Sequence, residues 1–250
     1  MTANVASLFS VENKRVVVTG ALGGIGSAVA RLFLEAGAKL ILADREHSFP
    51  DTPPGTVYIP ADFSAEGGAN SLIQHIQNAP VDIVIHTAGI EGHVGSMDDC
   101  AEADWLRTMR VNLLSAQLLS AAAVKGMQQR GGGRLIYVGS IAGKRGTSAL
   151  GLYSVTKAGL SQLARNYAVQ QGKYGITANC ICPGLIDTPL SKHLQADVAF
   201  MTKRMQRTPL NRLGTTDEIA ATALYLASAA GGFTTGQDIV VDGGTLISDC

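Results

Sequence analysis

Tyr153 and Lys157 stand four residues apart in the segment GLYSVTKA, which begins at residue 151. On a helix this spacing places both side chains on one face. A free tyrosine has a pKa of about 10, and a neighbouring ammonium lowers that pKa because it favours the phenolate. The pair therefore predicts a proton donor and acceptor near neutral pH. The same spacing also occurs in ordinary surface contacts, so the rest of the chain has to decide between the two interpretations.

Length and composition favour a single globular domain. The chain has 250 residues, of which 46% are hydrophobic and 16% charged, with 29 glycines and a net charge of zero. We expect a single domain spanning 1–250, no nucleic acid partner and no membrane partner. No apolar run approaches the roughly 20 residues of a membrane span, and residues 1–10 lack a secretory pattern. A cytoplasmic location is the expectation that follows.

Apolar, β-rich runs alternate with helical patterns along the whole chain. Strands are predicted at 15–19, 39–43, 56–60, 81–87, 134–139, 175–182 and 237–242. Helices are predicted up to residue 35 and at 65–77, 103–129, 152–171, 191–207 and 216–227. This alternation predicts an α/β fold: a doubly wound, Rossmann-type parallel sheet of about seven strands, with helices on both faces. Three prolines within 46–55 favour an irregular connection there in place of a helix.

A glycine-rich turn, TGALGGIG at 19–26, follows the first strand and opens the first helix. Gly20 suits a tight turn, while Gly24 and Gly26 let backbone approach a pyrophosphate and let the helix approach the sheet. The N-terminus of that helix offers unpaired N–H groups and a partial positive charge. The turn therefore predicts a dinucleotide site.

Asp44 ends the second predicted strand, where a carboxylate can accept hydrogen bonds from the adenosine ribose hydroxyls and repels a 2′-phosphate. The next residue, Arg45, could instead embrace that phosphate. The glycine turn contains neither Lys nor Arg. The sequence therefore favours NAD as cofactor and leaves NADP possible.

Further motifs occur in a fixed order along the chain. HTAG at 86–89 follows the fourth strand, Asn112 lies in the long helix, Ser140 ends the fifth strand, and PGLIDT at 183–188 follows the sixth. With the glycine turn and the Tyr153 segment, they make the chain resemble the short-chain dehydrogenase/reductase family, in its single-domain branch of about 250 residues. The resemblance covers essentially the whole chain. It departs from the family at His86, where Asn-Asn-Ala-Gly is usual.

The resemblance implies a catalytic tetrad of Asn112, Ser140, Tyr153 and Lys157. Tyr153 would donate a proton to the carbonyl oxygen, or remove one from the alcohol. Lys157 would lower the tyrosine pKa and hold the nicotinamide ribose, and Ser140 would polarise the substrate oxygen. Asn112 would help anchor a water chain that leads from the lysine.

The resemblance also implies contacts with the cofactor. These residues join the glycines of the turn and Asp44: Ile25, Arg45, Asp62, Phe63, Ala88, Gly89, Tyr153, Lys157, Ile186 and Thr188. Asp62 would contact adenine, Ala88 and Gly89 would line the adenosine ribose, and Ile186 and Thr188 would hold the carboxamide. His86 has either a structural hydrogen-bonding role or an effect on the adenosine pocket.

No metal site is predicted, because no metal-ligand spacing occurs and the cysteines at 100, 180, 182 and 250 suit buried or reduced thiols. Residues 189–207 should form a substrate lid. The substrate stays open among secondary alcohols, polyols or sugars, steroids and 3-oxoacyl thioesters. Family members commonly form tetramers through the long helices, so we expect a homotetramer or homodimer.

The first functional hypothesis is hydride transfer between NAD(H) and a secondary alcohol or ketone. An NADPH-dependent 3-oxoacyl thioester reductase on the same fold is the close rival. A non-catalytic protein that senses NAD is the rival of a different class, and the intact tetrad argues against it.

Overall fold

Seven strands form the centre of the structure, a computed structural model that describes residues 4–48 and 54–248. They are β1 (Arg15–Thr19), β2 (Lys39–Asp44), β3 (Val57–Pro60), β4 (Ile83–His86), β5 (Gly133–Val138), β6 (Ile176–Pro183) and β7 (Asp238–Val241). All neighbours pair in parallel, in the order β3-β2-β1-β4-β5-β6-β7. The strand order reverses beside β1, so a crevice lies at the carboxyl ends of β1 and β4.

Helices cover the sheet. They are α1 (Val5–Leu8), α2 (Gly24–Glu35), α3 (Asn70–Asn78), α4 (Glu102–Met109), α5 (Ser115–Gln129), α6 (Gly151–Gln171), α7 (Lys192–Ala196), α8 (Val198–Gln206) and α9 (Thr216–Ala227). Short 3₁₀ turns lie at Met97–Asp99, Ile141–Lys144, Gly172–Tyr174, Pro189–Ser191 and Ala229–Gly231. No helix in the described part of the chain combines the length and apolar character needed to cross a membrane.

Alternate strand residues pack into two separate cores, because successive side chains of a strand point to opposite faces. Val17 belongs to the core that contains Leu160 of α6, on the face covered by α3, α5 and α6. Val18 belongs to the core that contains Phe33 of α2 and Ile219 of α9. Both faces of the central strands are thus buried, as in other parallel sheets. The predicted Rossmann-type fold is confirmed.

The helix predicted at 65–77 begins later, at Asn70. The Asp62 carboxylate accepts hydrogen bonds from the Ser64 N–H and hydroxyl, which closes a turn. Gly67 then takes a left-handed conformation with φ +73°, which an α-helix does not allow. The polar turn residues therefore override the apolar pattern that predicted an earlier start.

Two of the helical predictions, 103–129 and 191–207, are each interrupted. A π-helical segment, Arg110–Leu114, joins α4 to α5 within 103–129. Asp197 separates α7 from α8 within 191–207, and its carboxylate accepts the Phe200 N–H at 2.9 Å as an N-cap. The short helix α1 was not predicted; Asn4 caps it by accepting the Ser7 N–H at 2.8 Å. The connection expected at 46–55 lies partly, and Cys250 wholly, outside the described residues.

Candidate active site

The glycine turn lies between β1 and α2, at the carboxyl edge of the sheet. Gly20 has φ +65°, and a Cβ there would stand 2.8 Å from the Ala88 backbone. A Cβ on Gly26 would overlap the Gly20 carbonyl oxygen. The N-cap residue of α2 is Gly23, which has no side chain to accept a hydrogen bond. The first N–H groups of the helix therefore stay available to a ligand. This cradle of bare backbone fits a pyrophosphate.

The segment after β6 packs over the start of α2. A Cβ on Gly24 would lie 2.8 Å from Thr188 Cγ2. The Thr188 N–H donates to the Ser191 hydroxyl at 3.2 Å, and the Ser191 hydroxyl donates to the Ile186 carbonyl at 2.6 Å. These bonds fix Ile186 and Thr188 beside Ile25, and all three side chains line one cavity.

Asp44 at the end of β2 is tied to the glycine turn. Its carboxylate accepts the Leu22 N–H at 2.9 Å and the Arg45 N–H at 2.8 Å. The exposed Arg45 guanidinium lies 3.3 Å from the Glu46 carboxylate. The structure thus brings an anionic and a cationic side chain to the same strand end, as the sequence predicts, and both remain open to a ligand.

Asp62 and Phe63 follow β3 but differ in exposure. Hydrogen bonds from Ser64 hold the pKa of the exposed Asp62 carboxyl below its usual range. The Phe63 side chain is only 8% exposed, and its ring centroid lies 6.2 Å from that of His86. Phe63 packs in the core, so its backbone is the part that a cofactor could meet.

His86 is fully buried and links two parts of the site. Its Nδ1 lies 2.9 Å from the Thr19 hydroxyl, and its Nε2 lies 3.3 Å from the Ser115 hydroxyl. The Thr19 hydroxyl also accepts the Ala88 N–H at 3.3 Å. Burial lowers the pKa of His86 to about 3, so the imidazole stays neutral. Of the two roles predicted, these contacts match the structural one.

Asn112 lies within the π-helical segment and is fully buried. Its side-chain oxygen accepts the Ile90 N–H at 2.8 Å, and its nitrogen donates to the Ile90 carbonyl at 2.9 Å. The nitrogen also donates to the Thr156 hydroxyl at 3.0 Å. Asn112 thus ties the loop after β4 to α6, the helix that carries Tyr153. Extra turns of this π type are frequent at functional sites.

Ser140 and Tyr153 face each other across the end of β5. The Ser140 hydroxyl accepts the Ala142 N–H at 3.0 Å, which starts the 3₁₀ turn at Ile141–Lys144. Burial raises the pKa of Tyr153 to about 12, while a hydrogen bond with Ser140 lowers it and the Glu91 carboxylate raises it. The predicted lowering of this pKa by Lys157 does not appear in these contacts. Removal of the phenolate from water outweighs the other effects.

Lys157 is 3% exposed on the same helix. Its Nζ donates to the Val138 carbonyl at 2.8 Å and lies 5.4 Å from the centroid of the Tyr153 ring. A Cβ on Gly89 would lie 3.2 Å from that Nζ and 3.5 Å from the Asn112 oxygen. Burial lowers the pKa of Lys157 to about 8. Lys157 and Asn112 therefore meet beside Gly89, and the Tyr153 ring lies next to the lysine.

One cavity of about 190 Å³ lies beside Tyr153 and Lys157. Its lining includes the predicted residues Ile25, Gly89, Ser140, Tyr153, Lys157, Ile186 and Thr188. It also includes two residues of the predicted lid, Leu194 and Arg204, and residues without a predicted role, namely Thr87, Glu91, Arg145, Thr147 and Leu150. Arg145 and Thr147 fall between Ser140 and Tyr153 in the chain, and that position is the one sequence signal that could have found them.

Two cysteines and an aspartate form a separate cluster below the end of β5. The Cys180 and Cys182 sulfurs lie 3.9 Å apart in β6, and the Cys182 sulfur lies 3.9 Å from an Asp238 oxygen. The Asp238 carboxylate already pairs with Lys144 and, at 2.9 Å, with Arg165. These two cations neutralise the only carboxylate of the cluster, which disfavours a metal ion.

Comparisons with known proteins find one matching family model and several relatives that match over most of the chain. A family model described as Enoyl-(Acyl carrier protein) reductase matches residues 20–245. Dehydrogenase/reductase SDR family member 4 of Oryctolagus cuniculus is 31% identical over 94% of this chain and 94% of that protein. Cis-4-hydroxycyclohexanecarboxylate dehydrogenase of Sinomonas cyclohexanicum is 33% identical over 91% of this chain and 94% of its own length.

A solved structure shares the fold. The gluconate 5-dehydrogenase from Burkholderia cenocepacia, in complex with NADP and tartrate, superposes with a TM-score of 0.91 at 30% identity. The match covers 98% of this chain and 100% of that one.

Proposed function

We propose that this chain, which belongs to the short-chain dehydrogenase/reductase family and is an oxidoreductase, transfers a hydride between NAD(H) and a secondary alcohol or ketone. The observation that carries the proposal is one cavity in which Ser140, Tyr153 and Lys157 stand beside the predicted nicotinamide contacts, Ile186 and Thr188. A bound nicotinamide supplies the hydride acceptor or donor, and the protein orients it.

Tyr153 is proposed as the general acid and base. In oxidation the carbinol C–H bond would break, its hydride would pass to the nicotinamide, and the hydroxyl proton would pass to the tyrosine oxygen in its phenolate form. Ser140 shares a hydrogen bond with Tyr153 and would hold the same substrate oxygen. The half-buried tyrosine reaches the cavity, so a substrate can meet its hydroxyl.

Lys157 and Asn112 are proposed to support that proton transfer. Among the described residues, the Lys157 Nζ donates to the Val138 carbonyl alone, which leaves donors for the nicotinamide ribose and the tyrosine. Asn112 fixes the Ile90 backbone beside them. A water chain from the lysine, held by the π-helical segment, would return protons to solvent.

The adenosine end would use the remaining predicted residues. The glycine turn would hold the pyrophosphate at the start of α2, and Asp62 would meet adenine. Ala88 would line the ribose with Gly89, since its backbone lies against Gly20. Phe63 would contribute backbone alone, because its ring is buried.

NAD is proposed as the preferred cofactor, with NADP as the rival. The Asp44 carboxylate supports NAD because it would repel a 2′-phosphate at the strand end. The exposed Arg45 and the NADP in the similar Burkholderia cenocepacia structure support the rival. Fluorescence titration with NADH and NADPH separates them, and tighter binding of NADPH would reject the NAD assignment.

A single domain spanning 1–250 and a substrate lid at 189–207 belong to the same proposal. Leu190, Ser191, Leu194 and Arg204 of this segment line the cavity, which supports the lid.

A homotetramer or homodimer is proposed through α4, α5 and α6. Apolar side chains on these helices are left exposed in one chain, among them Leu106, Leu118 and Val155. A cytoplasmic location is also proposed.

A second candidate, an NADPH-dependent reductase of 3-oxoacyl thioesters, is favoured by the acyl-carrier description of the matching family model. A panel of secondary alcohols, hydroxy acids, sugars, steroids and 3-hydroxyacyl thioesters tests both. Each is incubated with NAD⁺ and NADP⁺ while absorbance of the reduced nicotinamide is followed. Turnover of the thioesters alone would support the second candidate. Tight cofactor binding without turnover of any compound would support the NAD-sensing alternative.

A further inference from the structure

Two arginines line the cavity without an ionic partner. Arg145 follows the 3₁₀ turn after β5, and Arg204 lies on α8. Among the ion pairs of the described residues, none includes either guanidinium. Arg204 is half-buried, and its guanidinium carbon lies 5.4 Å from the centroid of the Phe200 ring. Burying a cation without an anionic partner costs free energy. A ligand that supplies an anion would remove part of that cost and would therefore bind more tightly.

Both guanidinium groups line the same cavity. Burial lowers the pKa of Arg204, and the positive charge of Arg145 lowers it further. Like charges held together in one wall repel, and an anion placed between them removes the repulsion. Arginine forks match the geometry of a carboxylate, with two parallel N–H donors for its two oxygens.

A third polar group lies in the same lining. The Thr147 hydroxyl is buried and has no hydrogen-bond partner among the described residues. A buried hydroxyl without a partner destabilises a protein, and one that lines a cavity can be satisfied by a ligand. Arg145, Thr147 and Arg204 together are called the arginine wall below.

The cavity lining also includes a carboxylate, that of Glu91, which limits where a ligand anion can bind. The Glu91 carboxylate lies 3.6 Å from the His193 imidazole, and its negative charge raises the pKa of Tyr153. A ligand carboxylate would be repelled from the Glu91 side and attracted to the arginine wall. The charge pattern thus gives an acid one orientation, with its carboxylate on the wall and its alcohol carbon free to meet Tyr153.

We propose that the substrate is a small hydroxy acid, or the corresponding oxo acid, whose carboxylate is bound by Arg145 and Arg204. This inference rests on the proposed function of the Tyr153 site. The Thr147 hydroxyl donates to the same carboxylate, and the carbinol oxygen reaches Tyr153 and Ser140. The nicotinamide would take part of the cavity of about 190 Å³, so the room that is left suits a compact acid. Arg145 and Arg204 are therefore specificity-determining residues.

Binding is measured by calorimetry on the Tyr153→Phe variant saturated with NAD⁺, so that turnover does not interfere. The probes are glycerate, 3-hydroxybutyrate and gluconate, each paired with its carboxamide, which has nearly the same shape without the charge. At least one acid should bind at least about tenfold more tightly than its amide. Arg145→Gln and Arg204→Gln should each weaken that acid by about tenfold or more, and the amide little.

Lys14→Gln is the control, because Lys14 is an exposed cation before β1, outside both the cavity lining and the proposed lid. It should leave both affinities unchanged. Equal binding of every acid and its amide would overturn the inference, as would an equal loss of acid and amide in the arginine variants. Loss of NAD⁺ affinity in those variants would assign the arginines to the cofactor instead. None of these outcomes depends on turnover, so a failed inference is distinguishable from a failed Tyr153 assignment.

Discussion

The glycine turn and the arginine wall line the same site but are built in different ways. The turn consists of backbone held between β1 and α2, where close approach leaves no room for side chains. The wall consists of long side chains on two segments that follow β5 and β6. The backbone cradle suits a cofactor common to many relatives, whereas the side-chain wall can change without disturbing the sheet. In the proposed function, cofactor binding and substrate selection therefore belong to separable parts of one site.

The largest expected effect falls between the two parts, at Tyr153. Tyr153→Phe removes the proton donor and keeps the ring, so kcat should fall between about 10²-fold and 10⁴-fold. NADH affinity should change little. Tyr174→Phe, at an exposed tyrosine near the end of α6, is the control and should keep full activity. Initial rates on any alcohol that is turned over measure both, and full activity of Tyr153→Phe would remove the proposed proton donor.

A methyl group added to the glycine turn should lower both the stability of the protein and its affinity for the cofactor. The new Cβ of Gly26→Ala would overlap the Gly20 carbonyl, which forces the turn apart and should destabilise the protein by about 2 kcal/mol or more. Gly172→Ala is the control, because its Cβ meets no atom within 4 Å. Urea unfolding and NADH titration measure the two effects. A Gly26→Ala variant with normal stability and affinity would show that close approach at the turn is unnecessary.

His86 should make the stability of the cradle depend on pH. Its folded pKa of about 3 lies below the unfolded value of about 6.5, so the unfolded chain takes up the proton first. Stability is therefore full above pH ~6.5 and declines as the pH falls toward 3. Between pH 8 and pH 5 the loss from this residue should be about 2 kcal/mol.

Urea unfolding at both pH values compares wild type with His86→Asn, which cannot take up that proton. The variant should lose about 2 kcal/mol less, while His47→Asn, at an exposed histidine, should behave as wild type. An identical pH dependence of wild type and His86→Asn would mean that the buried imidazole is protonated in the folded state.

The smallest expected effect is at Asp44. Asp44→Asn keeps an acceptor for the Leu22 N–H and removes the negative charge, so binding should shift toward NADPH by about tenfold relative to NADH. Glu66→Gln, which removes an exposed charge beyond β3, is the control. Fluorescence titration with both cofactors gives the ratio, and an unchanged ratio would locate the selectivity elsewhere, with Arg45 as the next candidate.

Local patterns account for what the sequence could predict. The turn at 19–26 and the Tyr153–Lys157 pair each lie within one short segment, and strands buried on both faces have a plain apolar signature. The sequence therefore predicted the sheet, the glycine turn between β1 and α2, and the helix that carries Tyr153 and Lys157. The π-helical segment at Asn112 keeps a helical pattern and was not distinguishable from an α-helix.

The remaining features depend on how distant segments meet. Arg145, Thr147 and Arg204 form one wall only because α8 and the loop after β5 line the same cavity. Phe63 was predicted as a cofactor contact, but its ring turned out to pack near His86 in the core. The high pKa of Tyr153 likewise reflects burial, which is a property of the assembled site and not of the i, i+4 spacing.

Transfer of a labelled hydride tests the central claim most directly. A secondary alcohol that the protein oxidises is prepared with deuterium on its carbinol carbon and incubated with the protein and NAD⁺. Mass spectrometry of the reduced nicotinamide should find one deuterium on its ring, because the hydride passes straight from that carbon. Reduced nicotinamide without deuterium, or no reduction with any alcohol of the panel, would contradict the proposed reaction.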